Sequence, residues 1–199
     1  MPDYSLEEAL REHGFLSICG VDEAGRGPLS GPVVAAACIL PIGCEIAGLN
    51  DSKKLSPKKR DALFDEIKEK AIAYSIASAS PAEIDEINIL NATMLAMRRA
   101  IEGLPVPADF ALVDGNVVRD FPIEAKPIIK GDAISCSISA ASILAKVTRD
   151  RICLEDDAKY PAYQFAKHKG YSTALHMQIL RELGPCPIHR RSFLKFLNE

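Results

Sequence analysis

"VDEAGRGPLSGPVVAAACIL", residues 21–40, sets an acidic pair between two apolar runs. "FLSICGV" (15–21) and "PVVAAACIL" (32–40) read as strands, being short, apolar and bounded by glycine and proline. Asp22 and Glu23 therefore follow directly on the first strand. Gly25, Arg26, Gly27, Pro28, Gly31 and Pro32 come next, in a link short enough to pair the two strands antiparallel. Buried carboxylates are costly and glycines weaken strands, so a ligand must explain both.

The rest of the pattern extends this sheet. "SPKKRDALFDEIKEKA" (56–71) is a helix with a Ser cap and Pro in its first turn. "AIAYSIASA" (71–79) alternates as a third strand, and Pro81 opens a long helix over 82–104. "DFALVD" (109–114) is a short buried strand ending in an acid. "IEAKPIIK" (123–130) has an internal proline, which places it at a sheet edge. The segment 133–160 is mainly helix, and its Ser and Ala residues at 137, 139–142 and 145 suit close packing on a sheet. At the N-terminus Ser5 and Glu8 form a capping-box pattern for a helix over 5–13, while 171–184 and 190–199 read as shorter helices. The strand–helix–strand step of about 30 residues implies a parallel crossover. The expected class is α/β: a mixed sheet with helices packed on it.

The 199 residues carry a net charge of −3, so a uniformly basic nucleic-acid binder is excluded and local charge matters. The chain reads as one domain, with a core over about 15–160 and a helical extension over about 161–199. No apolar run reaches the ~20 residues of a membrane span. The acidic, amphipathic N-terminus lacks the marks of a signal peptide, so a cytoplasmic location is expected. The six cysteines form no CxxC pair and read as free thiols; "CPIH" (186–189) has no partner pair to complete a metal site.

Four acids end apolar strands or directly follow them: Asp22, Glu23, Asp114 and Asp132. If those strands are neighbours, the acids meet at one edge of the sheet. Clustered carboxylates raise one another's pKa, and a cation relieves this. Oxygen donors without His or Cys select Mg²⁺ or Mn²⁺, and the arrangement suits a two-metal phosphodiester site. Any one of these acids alone also reads as a cap or turn residue. The "GRG" of Gly25, Arg26 and Gly27 leaves backbone open to a small hydroxyl or phosphate, or simply turns the chain. Lys53 and Lys54, in "DSKKLSPKKR", suit phosphates or a solvated helix start. Tyr171, in "KHKGY", suits stacking on a sugar or base, or a half-buried packing role.

Taken together, "VDEAGRGPLSGPVVAAA", "DSKKLS", "LVDGN", "KGD…SAASILAKVTRDR" and "HKGYST…HRRSF" resemble ribonuclease HII, the type 2 ribonuclease H, across residues 19–194. The resemblance implies an RNase H-like fold, with a central five-stranded mixed sheet flanked by helices and a small helical C-terminal region. It implies a monomeric endonuclease that cleaves RNA in RNA–DNA hybrids and incises at single ribonucleotides in duplex DNA. The ends it leaves are 5′-phosphate and 3′-hydroxyl, and no membrane is involved. By motif, Asp22, Glu23, Asp114 and Asp132 match the catalytic metal ligands. Gly25, Arg26 and Gly27 match the loop that senses the 2′-hydroxyl, and Tyr171 the ring that stacks near the RNA–DNA junction. Lys53 and Lys54 match phosphate contacts. Ser30 stands where the family commonly has alanine. The type 3 enzymes carry an extra N-terminal domain; the roughly 15 residues before the first strand and the GRG sequence favour type 2. Two other readings are a related acid-cluster nuclease acting on DNA alone and a binding module with a vestigial metal site. The GRG loop and Tyr171 argue against the first, and the presence of all four acids against the second.

Overall fold

The computed structural model of the chain describes residues 1–49 and 55–198. Its sheet has five strands: β1 (Ile18–Ala24), β2 (Val33–Ile39), β3 (Ala73–Ala79), β4 (Phe110–Asp114) and β5 (Glu124–Ile128). Their order is β3-β2-β1-β4-β5. The pairs β1–β2 and β2–β3 are antiparallel; β1–β4 and β4–β5 are parallel. This is the mixed sheet the resemblance implied. β5 lies at the edge, where the missing N–H of Pro127 costs no ladder bond.

Helices cover both faces: α1 (Ser5–Glu12), α2 (Pro57–Lys70), α3 (Pro81–Glu102) and α4 (Cys136–Lys159), with α5 (Phe165–His168) and α6 (Ala174–Leu183) beyond. β2 is buried along its whole length because its two faces serve two cores. Ala35 and Ala37 pack towards α3 with Ala96, Met97 and Ala100. Ala36 and Cys38 pack towards α2 and α4 with Phe64, Ile67, Ala140 and Leu144. The small residues of α4 do let it lie close: a Cβ at Gly20 would overlap the Ser137 carbonyl and the Ile138 nitrogen. All six cysteines are free, and no described helix is long and apolar enough to cross a membrane.

Several boundaries differ from the sequence reading. β1 begins at Ile18, three residues later than expected, and runs on through Asp22 and Glu23. Those acids stay in the strand because β2 continues opposite them, pairing Asp22 with Ala36 and Glu23 with Ala35. Phe15, left out of the strand, packs edge-on against Phe110 at 4.6 Å. Ser5 does not cap α1; the Asp3 carboxylate accepts from the Ser5 N–H at 2.9 Å and from its hydroxyl. The long helix α3 is broken at Asn88 (φ 67°), whose side chain caps the second part by accepting from the Leu90 and Asn91 N–H groups. Asp132 does not cap α4. Ser135 does so, and Asp132 sits earlier, in a 3-10 turn over Gly131–Ala133. Helix α6 starts at Ala174, after Thr173, not at 171. The tail forms two 3-10 turns in place of a helix: the Asp85 carboxylate fixes the Arg191 and Ser192 N–H groups, and Leu194, Phe193 and Phe196 pack with Leu29 and Leu180.

Candidate active site

The strand order brings the acids to one edge. β1 and β4 are parallel neighbours with Val21 opposite Val113, so Asp22 and Asp114 are the next residues along each strand. Asp22 is 5% exposed; its Oδ1 accepts from the Glu23 N–H at 2.7 Å, and Ser142 of α4 hydrogen-bonds to it. Burial holds its carboxyl well above the usual carboxylate range, and the charges of Glu23 and Asp114 push it further. Ser142 and the Glu23 N–H oppose that shift. Asp114 Oδ1 accepts from the Gly131 N–H at 2.7 Å, which ties β4 to the turn that carries the buried Asp132.

These residues suit a hard divalent cation in two respects. All the donors are oxygens, and Asp22 bears a repulsion that a cation would relieve. Among the described residues, no three His, Cys, Asp or Glu side chains are already closed into an ion cage.

Asp22 and Glu23 form one wall of a cleft of about 270 Å³, and Gly25, Arg26, Gly27 and Tyr171 form another. Asp114 and Asp132 lie outside that lining. Gly25 has φ +95°, and a Cβ there would come within 2.9 Å of Arg149 Nε and 3.0 Å of the Pro32 carbonyl oxygen, so glycine is required twice over. A Cβ at Gly27 would lie 3.6 Å from the Tyr171 ring, which is 47% exposed beside it. Arg26 reaches back to Glu23 at 3.3 Å. Lys53 and Lys54 fall outside the described residues.

The cleft also holds residues that the sequence reading passed over: Ser142, Lys146, Arg149 and Asp150 of α4, and Lys169. Lys146 pairs with Asp150 at 2.6 Å. Arg149 is buried and donates to the Pro32 carbonyl at 3.1 Å and the Ser30 carbonyl at 2.8 Å. A readable signal was present: Ser142, Lys146 and Asp150 recur every four residues, a polar stripe on a helix otherwise rich in small apolar residues.

A sequence model of the family described as Ribonuclease HII matches residues 19–196, a span that includes both walls of the cleft and all four acids. The chain belongs to the ribonuclease HII family. A relative named Ribonuclease HII from Desulfitobacterium hafniense (strain Y51) is 58% identical over an alignment of 194 residues that covers 94% of this chain and 75% of the relative. Another of that name, from Caldicellulosiruptor bescii, is 55% identical over 192 residues, 96% of this chain and 93% of its own length. Among solved structures, the ribonuclease H2 from Pyrococcus horikoshii OT3 is similar, with a TM-score of 0.72 and 29% identity over 89% of this chain and 93% of that one. The fold is therefore RNase H-like, and membership of the ribonuclease HII family makes the protein an enzyme, a hydrolytic nuclease.

Proposed function

We propose that this ribonuclease HII family member cleaves the RNA strand of RNA–DNA hybrids and incises duplex DNA at single ribonucleotides, leaving 5′-phosphate and 3′-hydroxyl ends. One observation carries the reading: Asp22, Glu23, the GRG loop and the half-exposed Tyr171 line one cleft. The 2′-hydroxyl is what marks a ribonucleotide inside DNA. A glycine-flanked backbone can approach it closely, and Tyr171 supplies a flat surface for the adjoining sugar or base. Base-edge readout would be useless for this task.

Asp22, Glu23, Asp114 and Asp132 would hold Mg²⁺ or Mn²⁺. Two such ions, when bound, activate the attacking water and neutralise charge on the leaving oxygen. The chain's own part is to orient the phosphodiester. Lys146 and Lys169 bring positive charge to the cleft of an otherwise acidic protein, which suits a polyanion. Arg26 reaches Glu23 from the loop and partly balances the acids before substrate arrives.

The test is cleavage of a duplex DNA carrying one ribonucleotide beside the same duplex in all-DNA form, with and without Mg²⁺ or Mn²⁺. Metal-dependent incision at the ribonucleotide alone is the expected result. Equal cutting of both duplexes would refute this reading and favour a DNA nuclease.

A further inference from the structure

Residues 188–190 lie far from the GRG loop in sequence and against it in space. The Gly31 N–H donates to the Ile188 carbonyl at 2.9 Å, the Arg190 N–H donates to the Leu29 carbonyl at 2.9 Å, and Ser30 pairs with His189 as an isolated antiparallel bridge. Arg190 is fully buried. Its guanidinium donates to four backbone carbonyls of the loop: Gly25 at 2.6 Å, Arg26 at 2.9 Å, Pro28 at 2.7 Å and Gly31 at 2.9 Å. A charge is costly to bury, but here four of the five N–H groups of the rigid guanidinium fork meet carbonyls and offset that cost. Burial, and then the like charge of Arg149, lowers its pKa to about 9, so it remains charged at neutral pH.

The preceding residue reaches the Tyr171 segment of the same wall. His189 Nδ1 lies 3.0 Å from the Cys186 N–H and 3.3 Å from the Cys186 carbonyl; the shorter contact makes Nδ1 an acceptor and assigns the proton to Nε2. That nitrogen faces His176 Nε2 at 3.0 Å. His176 Nδ1 lies 2.9 Å from the Tyr171 carbonyl, which can only accept, so Nδ1 carries the His176 proton and Nε2 is left to accept from His189. The protons therefore run in one order, from Cys186 through His189 and His176 to the backbone of Tyr171. His168 completes the turn: it stacks on His176 at 4.0 Å and accepts from the Gly170 N–H at 3.1 Å. Two consecutive side chains thus hold the GRG loop and the backbone of Tyr171, whose ring lies beside Gly27.

We infer that His189 and Arg190 are positioning residues that together fix the gap between the GRG backbone and the Tyr171 ring, and so set selectivity for a ribonucleotide. The inference rests on the function proposed above. Both side chains are buried and act through the loop and the ring. Arg149, on the other side, grips Ser30 and Pro32 and keeps the loop from sliding along its own strand.

The experiment measures kcat and KM for duplex DNA with a single ribonucleotide, alongside thermal melting. Arg190→Lys keeps a charge and loses the fork. It should lower kcat by roughly 10- to 100-fold and leave KM within about twofold, as expected for reacting groups held slightly out of place. His189→Gln keeps an N–H near the Nε2 position; His189→Asn keeps only an acceptor near Nδ1. The glutamine variant should retain kcat within about threefold, and the asparagine variant should lose about tenfold. A melting temperature that falls while kcat and KM per folded molecule stay at wild-type values overturns the inference. So does equal kcat in the two His189 variants, or failure of both to fold. If the wild-type protein itself cuts all-DNA duplex equally well, the proposed function fails and takes the selectivity part of this inference with it; altered variant kinetics on a selective wild type test this inference alone.

Discussion

Asp22 keeps its carboxylate inside the protein beside Glu23 and Asp114, and it is the residue most in need of a cation. Asp114, like Asp22, has one oxygen engaged by the backbone: its Oδ1 accepts from the Gly131 N–H. Asp114→Asn can keep that hydrogen bond while removing one negative charge from the site. We expect it to lower kcat by about 10³-fold or more, since Lewis-acid stabilisation contributes several kcal/mol and each 1.4 kcal/mol is tenfold. Binding of the ribonucleotide duplex, measured by filter binding, should be retained. Mg²⁺-dependent turnover at the wild-type rate would remove Asp114 from the proposed metal ligands. These acids stood out in sequence because each follows closely on an apolar run. Arg149 and Arg190 were not, since arginines within "KVTRDR" and "HRRSF" look like solvated surface charge until their carbonyl partners are known.

Helix α4 and strand β1 form the frame on which the site hangs. They meet at Gly20, where α4 leaves no room for a side chain. Gly20→Ala must push α4 away, and with it Ser142, Lys146 and Arg149. An overpacked core contact of this kind typically costs about 1–3 kcal/mol. A urea titration should show that loss, together with reduced kcat; an unchanged midpoint would mean the helix yields freely. The close packing was foreseen from the Ser and Ala residues of α4. The extent of β1 was not, because apolar periodicity stops at Val21 while the ladder with β2 continues to Ala24. The capping of α1 was misread for a similar reason: Ser5 and Glu8 fit the motif, but Asp3 is better placed to accept.

The C-terminal segment ties the molecule together and makes its stability depend on pH. Burial lowers the pKa of both His176 and His189 to about 4, from an ordinary value near 6.5. Between those values the unfolded chain binds more protons than the folded one. The stability they contribute is therefore complete above about pH 6.5 and is lost as pH falls towards 4, by at most about 1.4 kcal/mol per pH unit for each histidine. Asp22, whose pKa is raised, works in the opposite direction. The comparison of wild type with His189→Gln isolates the histidine effect. Urea midpoints at pH 7 and pH 5 should differ less in the variant; an equal drop in both would refute the neutral relay.

The sequence by itself determined the family and a helix slim enough to lie on a sheet, and it singled out four acids and a glycine loop as candidates for the site. These are local facts, set by periodicity, residue size and the needs of a charged ligand. Only the tertiary structure decided that Asp22 and Asp114 are neighbours and that Arg190 grips the carbonyls of a loop some 160 residues earlier in the chain. Buried hydrogen bonds between distant segments leave no period in a sequence. They form because a buried polar group must find a partner, and the fold chooses which one.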